Sequence, residues 1–128
     1  MAHYTLEYSS NMEQLTDIAG LCDVIRRTAI QTGIFALAGI RVRALRADHV
    51  SIADGNPRHG FIDISVRLRG GRDPEAKKTA TAAIFKSAEE FLAPVLESHP
   101  IALSLEMRDI DSELSPKLNT IRNHIKKS

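Results

Sequence analysis

The chain has 128 residues, is 43% hydrophobic and 26% charged, and carries a formal net charge of +1, which suits one globular domain with an ordinary core. That balance argues against a dedicated nucleic-acid binder, which carries a basic excess and interleaved aromatic side chains. A single cysteine, Cys22, rules out an internal disulfide and a cysteine-rich metal site, and no run of about 18 apolar residues is present to span a membrane.

The first stretch, residues 1–8, alternates. Tyr4, Leu6 and Tyr8 point one way and His3, Thr5 and Glu7 the other, which predicts a half-buried strand. An α-amino group at the start of such a strand is held by a rigid element. Its ordinary pKa of about 7.7–8.0 suits proton transfer near neutrality. The plainer reading is a strand that simply starts early. The terminus has neither the basic segment nor the apolar core of a secretion signal, so a cytoplasmic location is expected.

Ser9-Ser10-Asn11 reads as a turn before a helix that Asn11 or Asp17 caps. Leu15, Ile18, Cys22, Ile25 and Ala29 form its apolar stripe, with Cys22 as a small core residue. Gly33 ends it. An apolar connection, residues 34–39, leads to a strand from about Ile40 to Asp48 with Arg41 and Arg43 on one face. Residues 53–57 are dense in turn formers. Ile62, Ile64, Val66 and Leu68 then alternate with Asp63, Ser65, Arg67 and Arg69 in a third strand. Asp73-Pro74-Glu75 opens a second long helix. Its buried stripe is Ala80, Ile84, Ala88, Phe91 and Val95, and Pro94 is expected to kink or shorten its last turns. A last strand runs from Ile101 to about Arg108. Ser115-Pro116 starts a short helix with Leu118, Ile121 and Ile125 on one side and lysines at its end.

The order is strand, helix, strand, twice. It divides a single domain into halves of roughly 1–58 and 59–115 with an extension over 116–128. Each strand–helix–strand unit favours parallel pairing through a right-handed crossover. Two units side by side predict an α+β fold: a four-stranded mixed sheet with two helices on one face. The other face carries Glu7, Arg41, Arg43, Asp63, Arg67, Arg69, Glu106 and Arg108. It reads either as a solvated surface or as the interior of an oligomer with paired charges.

Thr32-Gly33-Ile34-Phe35-Ala36-Leu37-Ala38-Gly39-Ile40-Arg41-Val42-Arg43 resembles the signature of the 5-carboxymethyl-2-hydroxymuconate isomerase family, in the tautomerase superfamily. Ala53-Asp54-Gly55, Gly71-Arg72, Ala102-Leu103-Ser104-Leu105-Glu106 and Asn119-Thr120-Ile121 match it in order, so the resemblance runs from His3 to about Ile125. It implies a tautomerase-like fold of two β-α-β units and a homotrimer whose sheets surround a channel. It also implies a keto–enol isomerisation of a small dicarboxylate dienol in homoprotocatechuate catabolism, with no cofactor and no metal. Arg41 and Arg72 match the family's two substrate-binding arginines. A guanidinium suits that work because it grips a carboxylate in two places and stays charged. Arg43 is expected to be a structural ion-pair residue, Phe35 either pocket or core, and His3 is given no role.

In the family an N-terminal proline is the base. Position 2 here is Ala2, and Ala36 also stands where the family usually has proline. After loss of Met1, Ala2 presents a primary amine, which still accepts a proton near pH 7–8 but lacks the fixed φ of a pyrrolidine. Two expectations follow. One is an isomerase with an altered base at Ala2. The other is a non-catalytic homologue that keeps the anion pocket and binds a small dicarboxylate.

Overall fold

The computed structural model describes residues 2–125. Met1 and the lysines expected at the end of the last helix lie outside the described residues. The elements are β1 (Ala2–Ser9), α1 (Met12–Leu15), α2 (Ile18–Thr32), β2 (Ile40–Ala47), β3 (Gly60–Arg69), α3 (Pro74–Phe91), α4 (Ala93–Ser98) and β4 (Ile101–Ile110), with short 3-10 turns at Leu37–Gly39, Ser112–Leu114 and Ile121–His124. The sheet order is β2-β1-β3-β4. β1 pairs with β2 in parallel and with β3 antiparallel, and β3 pairs with β4 in parallel. This is the expected mixed four-stranded sheet.

The alternation in the sequence decides which face is buried. Ala2, Tyr4, Leu6 and Tyr8 of β1 and Ile62, Ile64, Val66 and Leu68 of β3 form one core with Leu21, Ile25 and Ala29 of α2 and Ala80, Ile84 and Ala88 of α3. A strand has period 2 and a helix 3.6, so each element contributes one apolar side to a single layer. The charged face of the sheet is left open.

Several local expectations are revised. One helix was expected after β1, and there are two. Asp17 breaks the run and caps α2, its carboxylate accepting from the Gly20 N–H at 3.0 Å. The stripe shifts with the break, so Leu21 is fully buried while Leu15, Ile18 and Cys22 pack at its margin. Asn11 makes no cap. Its amide instead donates to the His59 carbonyl at 3.0 Å, and its oxygen accepts from the Ser9 hydroxyl at 2.7 Å. This ties the end of β1 to the start of β3, where a Cβ on Gly60 would come within 3.0 Å of the Ser9 hydroxyl.

Asp73 caps α3 as expected, accepting from the Ala76 N–H at 3.3 Å. Pro94 does more than kink the helix. α3 stops at Phe91, and Pro94 takes an early position in α4, where its missing N–H leaves no bond unmade. The helix expected from Ser115-Pro116 is absent. Residues 115–120 are irregular, Leu118 is 91% exposed, and only a 3-10 turn forms at Ile121–His124. Asn119 fastens this segment by donating to the Ala38 carbonyl at 2.8 Å.

Candidate active site

Ala2 sits at the head of β1, is 1% exposed, and is paired in register with Ile40 on one side and Leu68 on the other. Both neighbouring strands therefore deliver side chains to its two flanks. Because successive residues of a strand face opposite sides, Tyr4 lies on the helix side of Ala2 and His3 on the open side.

On the helix side, Gly71 makes the turn that leaves β3. Its φ of +91° is a conformation that glycine adopts without steric cost. The turn places Arg72 immediately before the Asp73 cap. The Arg72 Nε is buried and has no hydrogen-bond partner among the described residues, and the same holds for the Tyr4 hydroxyl. Burial pushes the Tyr4 phenol well above its ordinary pKa, and the nearby Arg72 charge opposes that only in part. The phenol therefore keeps its proton. Two buried donors with no acceptor form an incomplete arrangement, since an unmade buried hydrogen bond costs about 1–3 kcal/mol. The partner each lacks is an acceptor, which an anionic oxygen supplies well. Phe35 packs edge-on against the Tyr4 ring, with centroids 5.6 Å apart and planes at 73°, so it is core and also fixes the phenol.

On the open side, the register aligns Arg41, His3, Arg67 and Arg108 in one row across all four strands. The Arg41 Nη1 lies 3.5 Å from His3 Nε2, and both terminal nitrogens of Arg43 lie 3.5 Å from His3 Nδ1. Burial, followed by the charges of Arg41, Arg67 and Arg43, holds the imidazole below its ordinary pKa. A neutral imidazole offers one acceptor nitrogen, so it accepts a hydrogen bond from one of the two arginines at a time. Arg43 is not the ion-pair residue expected. None of the ion pairs among the described residues uses it, and it leans on His3 instead.

Arg41 thus stands beside His3 on the open face, and the Arg72 charge acts on the Tyr4 phenol on the helix side. Two neighbours went unread in the sequence. His3 had no assigned role because alternation puts it on the face opposite Tyr4, and its partners come from another strand. The Tyr4 hydroxyl did leave a signal, since a tyrosine at a buried position of an alternating strand needs a partner for its O–H.

A four-stranded mixed sheet with its helices on one side and its first strand in the interior defines the tautomerase fold. A structure of a fused 4-OT described as a symmetric trimer shares it, with a TM-score of 0.63 at 20% identity, covering 88% of this chain and 91% of that one. Similarity is greater to the 5-carboxymethyl-2-hydroxymuconate isomerase from Deinococcus radiodurans R1, with a TM-score of 0.90 at 27% identity over 98% of this chain and 95% of that one. In sequence, the 5-carboxymethyl-2-hydroxymuconate Delta-isomerase of Escherichia coli is 33% identical over 125 residues, 98% of this chain and 96% of that protein. The family described as 5-carboxymethyl-2-hydroxymuconate isomerase matches residues 2–125. The chain belongs to that family of isomerases.

Proposed function

We propose that the protein isomerises 5-carboxymethyl-2-hydroxymuconate or a close relative, converting a dienol to its conjugated ketone in the breakdown of homoprotocatechuate. The observation that carries this reading is the pair of buried donors, Tyr4 Oη and Arg72 Nε, with no acceptor among the described residues, Tyr4 being two residues from Ala2 on the same face of β1. The substrate's name counts three carboxylates, two in muconate and one in the carboxymethyl arm. That is one more than the dicarboxylate expected from the resemblance alone.

In this mechanism the mature chain begins at Ala2. Its free amine takes the proton of the enol hydroxyl and becomes an ammonium. The electron pair of the O–H bond forms the carbonyl, the double bond shifts, and the ammonium returns a proton to carbon, so the base is regenerated. Arg72 and Tyr4 donate to the oxygen on which charge develops, in a buried setting where such bonds are strong. Arg41 grips a carboxylate from the open side.

Arg72→Ala is expected to lower kcat/KM by about 10²–10³-fold, the usual loss for one such donor, when ketone formation is followed in the ultraviolet. An unchanged rate would contradict the role given to Arg72. The primary amine of Ala2 favours one other reading, a homologue that binds the dicarboxylate without turning it over. That reading predicts a thermal shift with ligand, abolished by Arg41→Ala, and no turnover. Turnover by the unmodified protein would end it.

A further inference from the structure

Beside Ala2 on the open face lies a cavity of about 270 Å³ that includes His3, Arg67, Arg69, Ser112, Ser115 and Lys117 in its lining. Its position follows from the register. Leu68 pairs with Ala2, and the residues on either side of Leu68, Arg67 and Arg69, turn to the open face. They stand about 6.8 Å apart, two strand steps. The irregular chain after β4 folds back and supplies Lys117 and two hydroxyls. The cavity lining holds three permanent cations and no carboxylate.

None of the ion pairs among the described residues uses Arg67, Arg69 or Lys117. Two nearby acids are engaged elsewhere, and Asp111 and Glu113, on either side of Ser112, are not among the lining residues. Asp109 is 3.2 Å from Lys77, and Glu106 is 3.7 Å from Arg108. Three like charges converging on one concave site repel one another unless an anion sits between them. Among surface residues, side chains of opposite sign normally pair with such charges, and among the described residues none forms an ion pair with these three.

We infer that this cavity is a specificity pocket for the carboxymethyl-bearing end of the substrate, with Arg67, Arg69 and Lys117 holding its extra carboxylate. This rests on the isomerase reading and adds a second anchor to it. Arg72 and Tyr4 hold the oxygen that loses its proton, and the open-face cavity holds the far end, whose carboxymethyl-bearing carbon receives one. The carboxymethyl arm and the adjacent chain carboxylate leave the same carbon, so two anionic groups arrive at that end together. A pair of guanidiniums two strand steps apart, with an ammonium above them, matches that arrangement better than it matches a single carboxylate.

The test is calorimetric and needs no turnover. The whole protein is titrated with tricarballylate, which has three carboxylates, and with glutarate, which has two at the chain ends. The unmodified protein is expected to bind tricarballylate at least tenfold more tightly, and Arg69→Gln with Lys117→Gln is expected to remove that preference. Lys117→Gln alone, at an exposed position outside any helix or strand, serves as the second variant and keeps the test independent of any folding defect. Equal affinity of the unmodified protein for the two acids, or a preference that survives both variants, would overturn the inference. In parallel kinetics the double variant is expected to raise KM for 5-carboxymethyl-2-hydroxymuconate at least tenfold. Its kcat should hold, and the KM for 2-hydroxymuconate, which lacks the arm but keeps the chain carboxylate, should rise by a smaller factor; an equal rise for the two substrates would overturn the assignment of the arm to this pocket. A tricarballylate preference in a protein that turns over neither substrate would sink the isomerase reading and leave the pocket standing.

Discussion

Tyr4 places a phenol among carbon neighbours. Leu6 is its apolar strand-mate, Val42 and Val66 are its cross-strand partners, and Phe35 covers its ring. Its hydroxyl is buried with no partner among the described residues. In the free protein that hydroxyl costs stability, by about 1–3 kcal/mol for a buried polar group left unbonded. Tyr4→Phe is therefore expected to raise the urea midpoint and to lower kcat/KM. A variant with a lower midpoint and unchanged activity would show that the hydroxyl serves packing alone. His3 makes the opposite kind of prediction. Its folded pKa lies below the ordinary 6.5 through burial and the surrounding guanidiniums. As pH falls through that value the unfolded chain takes up the proton first, so stability rises with pH across this window and is lost on acidification. The contribution is fully present above pH 6.5. Urea midpoints at pH 7.5 and 5.5 should fall less for His3→Gln than for the unmodified protein. Equal falls would mean that the imidazole does not couple to folding.

The elements divide into those that local chemistry specifies and those that depend on the rest of the chain. The four strands were legible because alternation and flanking turn residues mark them locally. β3 needs only Ile62, Ile64, Val66 and Leu68 against Asp63, Ser65, Arg67 and Arg69. The α3 start was legible because Asp73 and Pro74 each act within one turn. The split between α1 and α2 was not, since Asn11 and Asp17 are equally good caps in isolation. The choice falls to Asp17 because β1 extends through Ser9 and Asn11 is held by the His59 carbonyl 48 residues away. The segment after β4 failed for a similar reason. Leu118, Ile121 and Ile125 have helical spacing, but no apolar surface of this chain covers Leu118, and short isolated helices are unstable without such packing. At the proposed site, Arg41 and Arg72 are assigned by resemblance. Arg67, Arg69 and Lys117 come together only through register and a folded-back tail.

At the scale of the molecule, β2 and β4 are open edges of the sheet. β4 presents ten residues without proline, and its Leu103, Leu105 and Met107 are only partly buried. Leu114, Leu118 and Ile121 stand exposed beyond it. Unprotected edges and apolar patches of this kind are covered by other chains in proteins that stay soluble. Edges and patches of this kind fit the homotrimer expected from the family resemblance. Light scattering should then give three times the 14.1 kDa chain mass. A monomer at micromolar concentration would contradict it. The open sheet face, with its row of Arg41, His3, Arg67 and Arg108, has mixed neighbours further along, where Glu7 pairs in register with Asp63. Its positive end lies at the head of β1.

The central claim is that the Ala2 amine moves a proton within a dienol acid. The most direct measurement is ketone formation from 5-carboxymethyl-2-hydroxymuconate by protein whose intact mass establishes Ala2 as the first residue, compared with the same protein after acetylation of that amine. A rate above buffer that acetylation abolishes is the predicted result. No rate above buffer, or a rate indifferent to acetylation, would contradict the account.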